Sequence, residues 1–160
     1  MVMSLRVGIL TISDRAARGE IEDRGGPALA EAVEGRGWET SARATVPDEI
    51  ETIANTLTAW TDLGLDVVLT TGGTGLGPRD VTPEATVQVA DTLVPGIAEA
   101  IRASSLQKTP MAMISRGMAA VRGKTLIVNL PGSPAGATEG MGTIGPVLEH
   151  AVAILHGGSH

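Results

Sequence analysis

Two aspartates and the glycine-rich loop between them are the residues of this chain best suited to chemistry. Asp48 lies in Val46-Pro47-Asp48-Glu49, and Asp80 lies in Pro78-Arg79-Asp80-Val81-Thr82-Pro83-Glu84. Between them comes Thr70-Thr71-Gly72-Gly73-Thr74-Gly75. Glycines there let the backbone take φ > 0 and turn successive N–H groups toward one point, an anion-binding nest. Hydroxyls of Thr70, Thr71 and Thr74 would add donors. Thr82-Pro83-Glu84 then reads as a helix start, with Thr82 as N-cap and Pro83 at the first helical position. A glycine nest ahead of a helix N-terminus is a layout for holding phosphate. Carboxylates alone would repel phosphate; a Mg²⁺ between them reverses the sign. Each feature also has an ordinary alternative: a tight turn for the loop, an N-cap for Asp48, and a local ion pair with Arg79 for Asp80.

Two familiar phosphate motifs are excluded. The loop has no Gly-Lys-Ser/Thr ending, so it is not a Walker loop. Read from Gly75 and Gly77, the third glycine of a dinucleotide fingerprint falls on Asp80.

The elements that must position these residues follow from hydrophobic pattern. Leu5 to Thr11 and Val67 to Leu69 are apolar runs of buried parallel strands, and Lys124 to Leu130 is a third. Trp38 to Val46 alternates weakly, as an edge strand does, and Pro110 to Ile114 reads as a short apolar strand. Helices are expected from Pro27 to Gly35 or Gly37, from Ile50 to Gly64, and from Thr82 to about Ala90. Further helices are expected from Ile97 to Gln107 and from Ser133 to Leu155, with a kink or fray near Pro146. Residues 15–26 read as a charged, mobile surface loop able to cover a site. His156 and His160 belong to a fraying tail rather than to a metal site.

Alternation of strand and helix predicts a single α/β domain over residues 1–160, with a mostly parallel sheet. In such a fold the strand-end loops share one edge. They would gather Thr11, Ser13, Asp14, Asp48, Thr71 to Gly75, Asp80, Ser115 and Arg116. Ser115 and Arg116 form a second hydroxyl-bearing, cationic strand end, suited to phosphate or to a surface ion pair.

Composition excludes other classes. Net charge is −6 with no basic run, and the chain has two Trp and no Phe or Tyr, so a nucleic-acid partner is not expected. Cysteine is absent, which removes disulfides, thiolate metal sites and a thiol nucleophile. No apolar stretch is long enough to span a bilayer, and the opening residues run straight into a strand, so a soluble cytoplasmic protein is expected. With few acid–base candidates, positioning and charge neutralisation remain, as in phosphoryl or nucleotidyl transfer.

The blocks Leu10–Asp14 (LTISD), Val46–Glu49 (VPDE), Leu69–Gly75 (LTTGGTG), Pro78–Thr86 (PRDVTPEAT), Thr109–Arg116 (TPMAMISR) and Arg122–Pro134 (RGKTLIVNLPGSP) together resemble the molybdopterin adenylyltransferase family. That family comprises the MogA-type bacterial enzymes and the homologous domains of plant molybdenum-cofactor enzymes and gephyrin. The resemblance implies a three-layer α/β/α domain, a homotrimer, and reaction of molybdopterin with MgATP to give adenylyl-molybdopterin and pyrophosphate. It implies that Asp48 and Asp80 are the functional, metal-holding aspartates. It places Gly72 to Gly75 against nucleotide or pterin phosphates, and Thr11, Ser13 and Ser115 in the substrate pocket. A molybdenum-insertion protein would receive the product. A MoaB-type branch suggests the alternative, a molybdopterin-binding scaffold without turnover; the presence of both aspartates resembles the catalytic branch.

Overall fold

The computed structural model describes residues 3–158; His160 lies outside them. Six strands form one sheet in the order β2-β1-β3-β6-β5-β4. They are β1 (Arg6–Ile12), β2 (Glu39–Val46), β3 (Val67–Thr71), β4 (Thr92–Leu93), β5 (Ala119–Arg122) and β6 (Thr125–Leu130). The first four strands in that order are parallel, and β5 is antiparallel to both of its neighbours, β6 and β4. Every residue of β3 and β6 is buried, which explains their unbroken apolar runs. The weak alternation of Glu39–Val46 has the expected cause, since β2 is an edge strand.

The helices are α1 (Asp14–Ala17), α2 (Gly25–Gly35), α3 (Ile50–Asp62), α4 (Thr82–Val89), α5 (Pro95–Leu106) and α6 (Pro134–Leu155). Two apolar clusters lie on opposite faces of the sheet. Leu29 and Val33 of α2, Ile101 of α5, and Met141, Ile144 and Leu148 of α6 belong to one. Ile53, Leu57 and Trp60 of α3 and Ala85 and Val89 of α4 belong to the other. This is a three-layer α/β/α arrangement, as expected.

The chain leaves β1 through α2 to reach β2 on one side, then passes through α3 to reach β3 on the other. The carboxyl ends of β1 and β3 therefore flank a topological switch point, where open α/β sheets bind ligands.

Several local expectations change. Pro110–Ile114 is a 3-10 turn, not a strand: Thr109 Oγ1 accepts from Met111 N at 3.2 Å, and Pro110 has no N–H for a ladder. The second group of short strands is instead Thr92–Leu93 with Ala119–Arg122. Residues 15–26 are not one loose loop. Asp14–Ala17 is helical, and α2 starts at Gly25, where Asp23 Oδ1 accepts from Gly26 N at 3.0 Å. Thr82 is not the N-cap of α4; it is its first residue, and its hydroxyl donates to Gly72 O at 3.0 Å. α6 runs on through Pro146 without ending there. Ser133 does cap it, accepting from Gly136 N at 3.0 Å. His156 Nε2 lies 3.2 Å from Asp66 Oδ1, beside β3.

Candidate active site

The glycine loop follows β3 directly and is held open by its conformation. Gly72 and Gly73 have φ of +100° and +68°, which L side chains rarely adopt. A Cβ on Gly72 would strike Ile12 O, and one on Gly73 would strike Thr82 Oγ1 and reach within 3.1 Å of Asp48 Oδ1. The first two loop residues are pinned: Gly72 N donates to Leu130 O at 3.3 Å, and Gly73 O accepts from Thr82 N at 3.1 Å. Among the described residues, the N–H groups of Gly73, Thr74 and Gly75 have no protein acceptor. Three successive free donors are what an anion nest requires.

Asp48 leaves the end of β2 and is tied to Asp14 at the end of β1. Asp48 Oδ2 accepts from Asp14 N at 2.8 Å, and Asp14 Oδ1 accepts from Asp48 N at 3.0 Å. Asp48 is thus not the N-cap of α3; that position is Glu49. Arg79 does not pair with its neighbour Asp80. Its Nε and Nη2 donate to the two oxygens of Asp14 at 3.0 and 2.9 Å. The hydrogen-bonded Arg79 guanidinium, with the Asp48 amide, holds the Asp14 carboxyl well below the usual range, at about 2. Burial pushes the Asp48 carboxyl up, and the charges of Asp14 and Asp80 add to the rise while the Asp14 amide opposes it.

Asp80 lies on the other side of the loop. Its Oδ2 accepts from Gly77 N at 2.9 Å and would touch a Cβ on Gly75 at the same distance. Asp48 and Asp80 each have one oxygen engaged by an amide and the other without a protein donor among the described residues. Residues able to hold a metal as a cluster of three or more are absent among the described residues. Two carboxylates completed by phosphate oxygens and water remain a fitting set for Mg²⁺.

Arg116 supports the loop. Its Nε donates to Gly75 O at 2.8 Å, and Nη2 donates to Asp80 O at 2.7 Å. Nη1 and Nη2 also grip Glu84 at 2.7 and 3.1 Å, which lowers the Glu84 carboxyl below its ordinary value. Of its two expected roles the guanidinium takes the ion pair, and it is committed to the Glu84 carboxylate and to the carbonyls of Gly75 and Asp80 around the loop.

Two cavities flank the loop. The larger, about 380 Å³, is lined by Thr74, Gly75 and Ser115 together with residues of α5, α6 and the 3-10 turn. The smaller, about 320 Å³, is lined by Thr11, Ser13, Thr71 and Gly72 together with residues 21–25. Gly132 borders both, and a Cβ on it would lie 3.3 Å from Gly72 Cα, so the partition at that point is main chain. Asp14, Asp48, Asp80 and Arg116 line neither cavity.

The expected hydroxyls divide. Thr70 is fully buried and accepts from Asn129 Nδ2 at 3.1 Å, so it has no ligand role. Thr71 Oγ1 donates to Pro131 O at 2.7 Å. Thr11 Oγ1 donates to Asp23 Oδ2 at 2.8 Å, and Ser13 caps α1 by accepting from Ala16 N at 3.1 Å. Asp23 and Glu84 are supporting residues whose role sequence reasoning missed, while Arg79, weighed as a local partner of Asp80, pairs with Asp14 instead. A carboxylate three residues ahead of the second glycine of Gly25-Gly26 was the available signal for Asp23.

Comparison with known proteins places the fold and the sequence in a family. Residues 8–150 match the family described as a probable molybdopterin binding domain. The chain is 45% identical over 140 residues to the molybdopterin adenylyltransferase of Escherichia coli K12, covering 82% of this chain and 69% of that one. It is 40% identical over 160 residues to gephyrin of Dictyostelium discoideum, covering 94% of this chain but only 22% of gephyrin. The solved structure of the molybdopterin biosynthesis enzyme MoaB from Thermus thermophilus superposes with a TM-score of 0.90 at 52% identity, covering 96% of this chain and 97% of that one. The family match runs from β1 into α6 and takes in the nest, both flanking aspartates and both cavities, so the chain belongs to the probable molybdopterin binding domain family.

Proposed function

We propose that the protein adenylylates molybdopterin in molybdenum cofactor biosynthesis, using MgATP and releasing pyrophosphate. The observation that carries this reading is the set of three free N–H groups at Gly73, Thr74 and Gly75, with the Asp48 and Asp80 carboxylates on either side. In the reaction, an oxygen of the pterin's terminal phosphate forms a bond to the α-phosphorus of ATP. The bond from that phosphorus to the bridging oxygen breaks, and pyrophosphate leaves with the electron pair. The two cavities offer separate room for the two substrates, with a glycine seam between them. The nest supplies donors to phosphate oxygens without a side chain in the way. Asp48 and Asp80 would hold Mg²⁺ through their unengaged oxygens. When bound, that cation offsets the charge of the converging phosphates. Arg116 and Arg79 keep the loop and the Asp14–Asp48 pair in place, so catalysis is mainly positioning.

The reading is tested by incubating pure protein with molybdopterin and MgATP and following adenylyl-molybdopterin and pyrophosphate. Absence of product from folded protein that binds both substrates would sink it. A second reading is a molybdopterin-binding protein without turnover that hands the cofactor to an insertion partner; likeness to a MoaB structure, itself named a biosynthesis enzyme, fits it only in part. Molybdopterin binding without detectable ATP binding would favour that one.

The functional assembly in this proposal is a cytoplasmic homotrimer. Its support is the family resemblance together with the exposed apolar side chains Val87, Leu93 and Leu106.

A further inference from the structure

An ion pair spans the rim of the larger cavity. Lys108 Nζ lies 2.8 Å from Glu139 Oε1, and both residues line that cavity. Lys108 stands in the short link between α5 and the 3-10 turn, where its N–H donates to Ser105 O at 3.0 Å. Glu139 stands in the second turn of α6. The main chain is thus anchored on both sides, and only the side chains need move. They are 61% and 39% exposed, so the pair is weak and screened by salt.

The cavity's other cation is less free. Arg102 Nη1 donates to Ser115 O and Gly117 O at 3.3 and 2.7 Å. Lys108 is therefore the cation there with the cheapest partner to leave. The smaller cavity has the opposite character. Its rim carries Glu22 and Asp23, with Arg24 beside Glu22, and Asp23 already fills the N-terminus of α2 as an acceptor. A phosphate approaching that rim would meet two carboxylates against one cation, Arg24, whereas the larger cavity sets two cations against one carboxylate.

We infer that the larger cavity takes the phosphate-bearing end of a ligand, and that Glu139 holds Lys108 until the arriving anion displaces it. Lys108 is then a specificity-determining residue, and Glu139 sets the threshold that an anion must exceed. This deepens the adenylylation reading and rests on it for the ligand's identity, which is the phosphate of either ATP or molybdopterin. The exchange of partners itself depends only on negative charge.

Calorimetric titration of the full chain in Mg²⁺ buffer tests the inference. ATP, molybdopterin and inorganic pyrophosphate are titrated separately into wild type, Lys108→Met, Glu139→Gln and the double variant. For at least one ligand, Lys108→Met should weaken binding about three- to fivefold, and Glu139→Gln should tighten it by a similar factor. The double variant should stay much closer to Lys108→Met than to Glu139→Gln, because the larger part of the Glu139 effect runs through its ion pair with Lys108. Both effects should shrink as salt rises. Melting temperatures should stay at the wild-type value, which separates binding from folding. The ligand that shows the pattern identifies the source of the phosphate. Unchanged or weaker binding in Glu139→Gln would overturn the inference, as would unchanged binding in Lys108→Met or no binding of any of the three ligands. If the pattern holds but no adenylyl-molybdopterin forms, the enzyme reading fails and the anion site stands. If product forms without the pattern, the enzyme reading stands and the anion site is overturned.

Discussion

Asp14 and Asp48 exchange groups reciprocally: each carboxylate accepts from the other's backbone N–H, at 3.0 and 2.8 Å. The exchange joins the ends of two neighbouring parallel strands across 34 residues of sequence. It places the second oxygen of Asp48 against Gly73. Arg79 closes the other side of Asp14, so one aspartate is neutralised by the protein while the other is left for a cation.

Asp48→Asn separates support from chemistry. The amide oxygen can still accept from Asp14 N, so the melting temperature should not fall. An amide is a poor substitute for an anionic Mg²⁺ ligand, and adenylylation should drop by about two to three orders of magnitude. Asp80→Asn should behave alike, with molybdopterin affinity retained by titration. Near-wild-type turnover in both variants would remove their assigned role.

The two carboxyls should respond oppositely to pH. The raised Asp48 value means that the folded state binds more protons than the unfolded one just above the ordinary carboxylate range. Stability from this group therefore falls as pH rises through the folded value. Asp48→Asn should melt higher than wild type at neutral pH, and the gap should close on acidification. Asp14, depressed to about 2, stabilises above the ordinary carboxylate value and loses that contribution as pH falls toward 2. Arg79→Met should return the Asp14 titration, read by carboxyl NMR, toward its ordinary range.

Arg116→Lys tests the support of the loop. One ammonium cannot reach Gly75 O, Asp80 O and the Glu84 fork together. The variant should lose about 1.5–3 kcal/mol in chemical denaturation, in line with hydrogen bonds to charged groups. Turnover should fall further than substrate affinity. Equal stability and turnover would show that the loop holds itself.

Gly73→Ala adds a methyl group at φ +68°, in contact with Thr82 Oγ1 and near Asp48 Oδ1. About 1–3 kcal/mol of strain and a large loss of activity are expected. A variant with wild-type kinetics would mean that the loop relaxes without touching the aspartates.

Light scattering at micromolar concentration should give three times the protomer mass. A monomer would leave Val87, Leu93 and Leu106 uncovered and would count against the trimer.

Much of this was legible in the sequence for physical reasons. Val67–Leu69 and Leu126–Val128 are buried on both faces, so nothing dilutes their apolar runs. The glycine loop was legible because its backbone cannot be built otherwise. Pro110–Ile114 misled because apolar character alone does not separate a strand from a 3-10 turn; Thr109 decided it by capping Met111. Thr92–Leu93 was too short to show a period. Arg79 pairs with Asp14, 65 residues away, rather than with adjacent Asp80, because only the sheet brings those strand ends together. Arg116 was read as suited to phosphate or to a surface ion pair; the structure has the ion pair, with Glu84, and no local pattern could show the two carbonyls, of Gly75 and Asp80, that it also reaches.

The glycine seam between Gly72 and Gly132 limits how this scaffold can diversify. At that contact the wall is bare backbone, which offers selection no side chain to enlarge, charge or trim. New ligand preferences in relatives would have to arise at the outer margins, at positions such as Ile21 on one side and Met111 on the other. The distance between the two chambers would stay nearly constant while their contents changed.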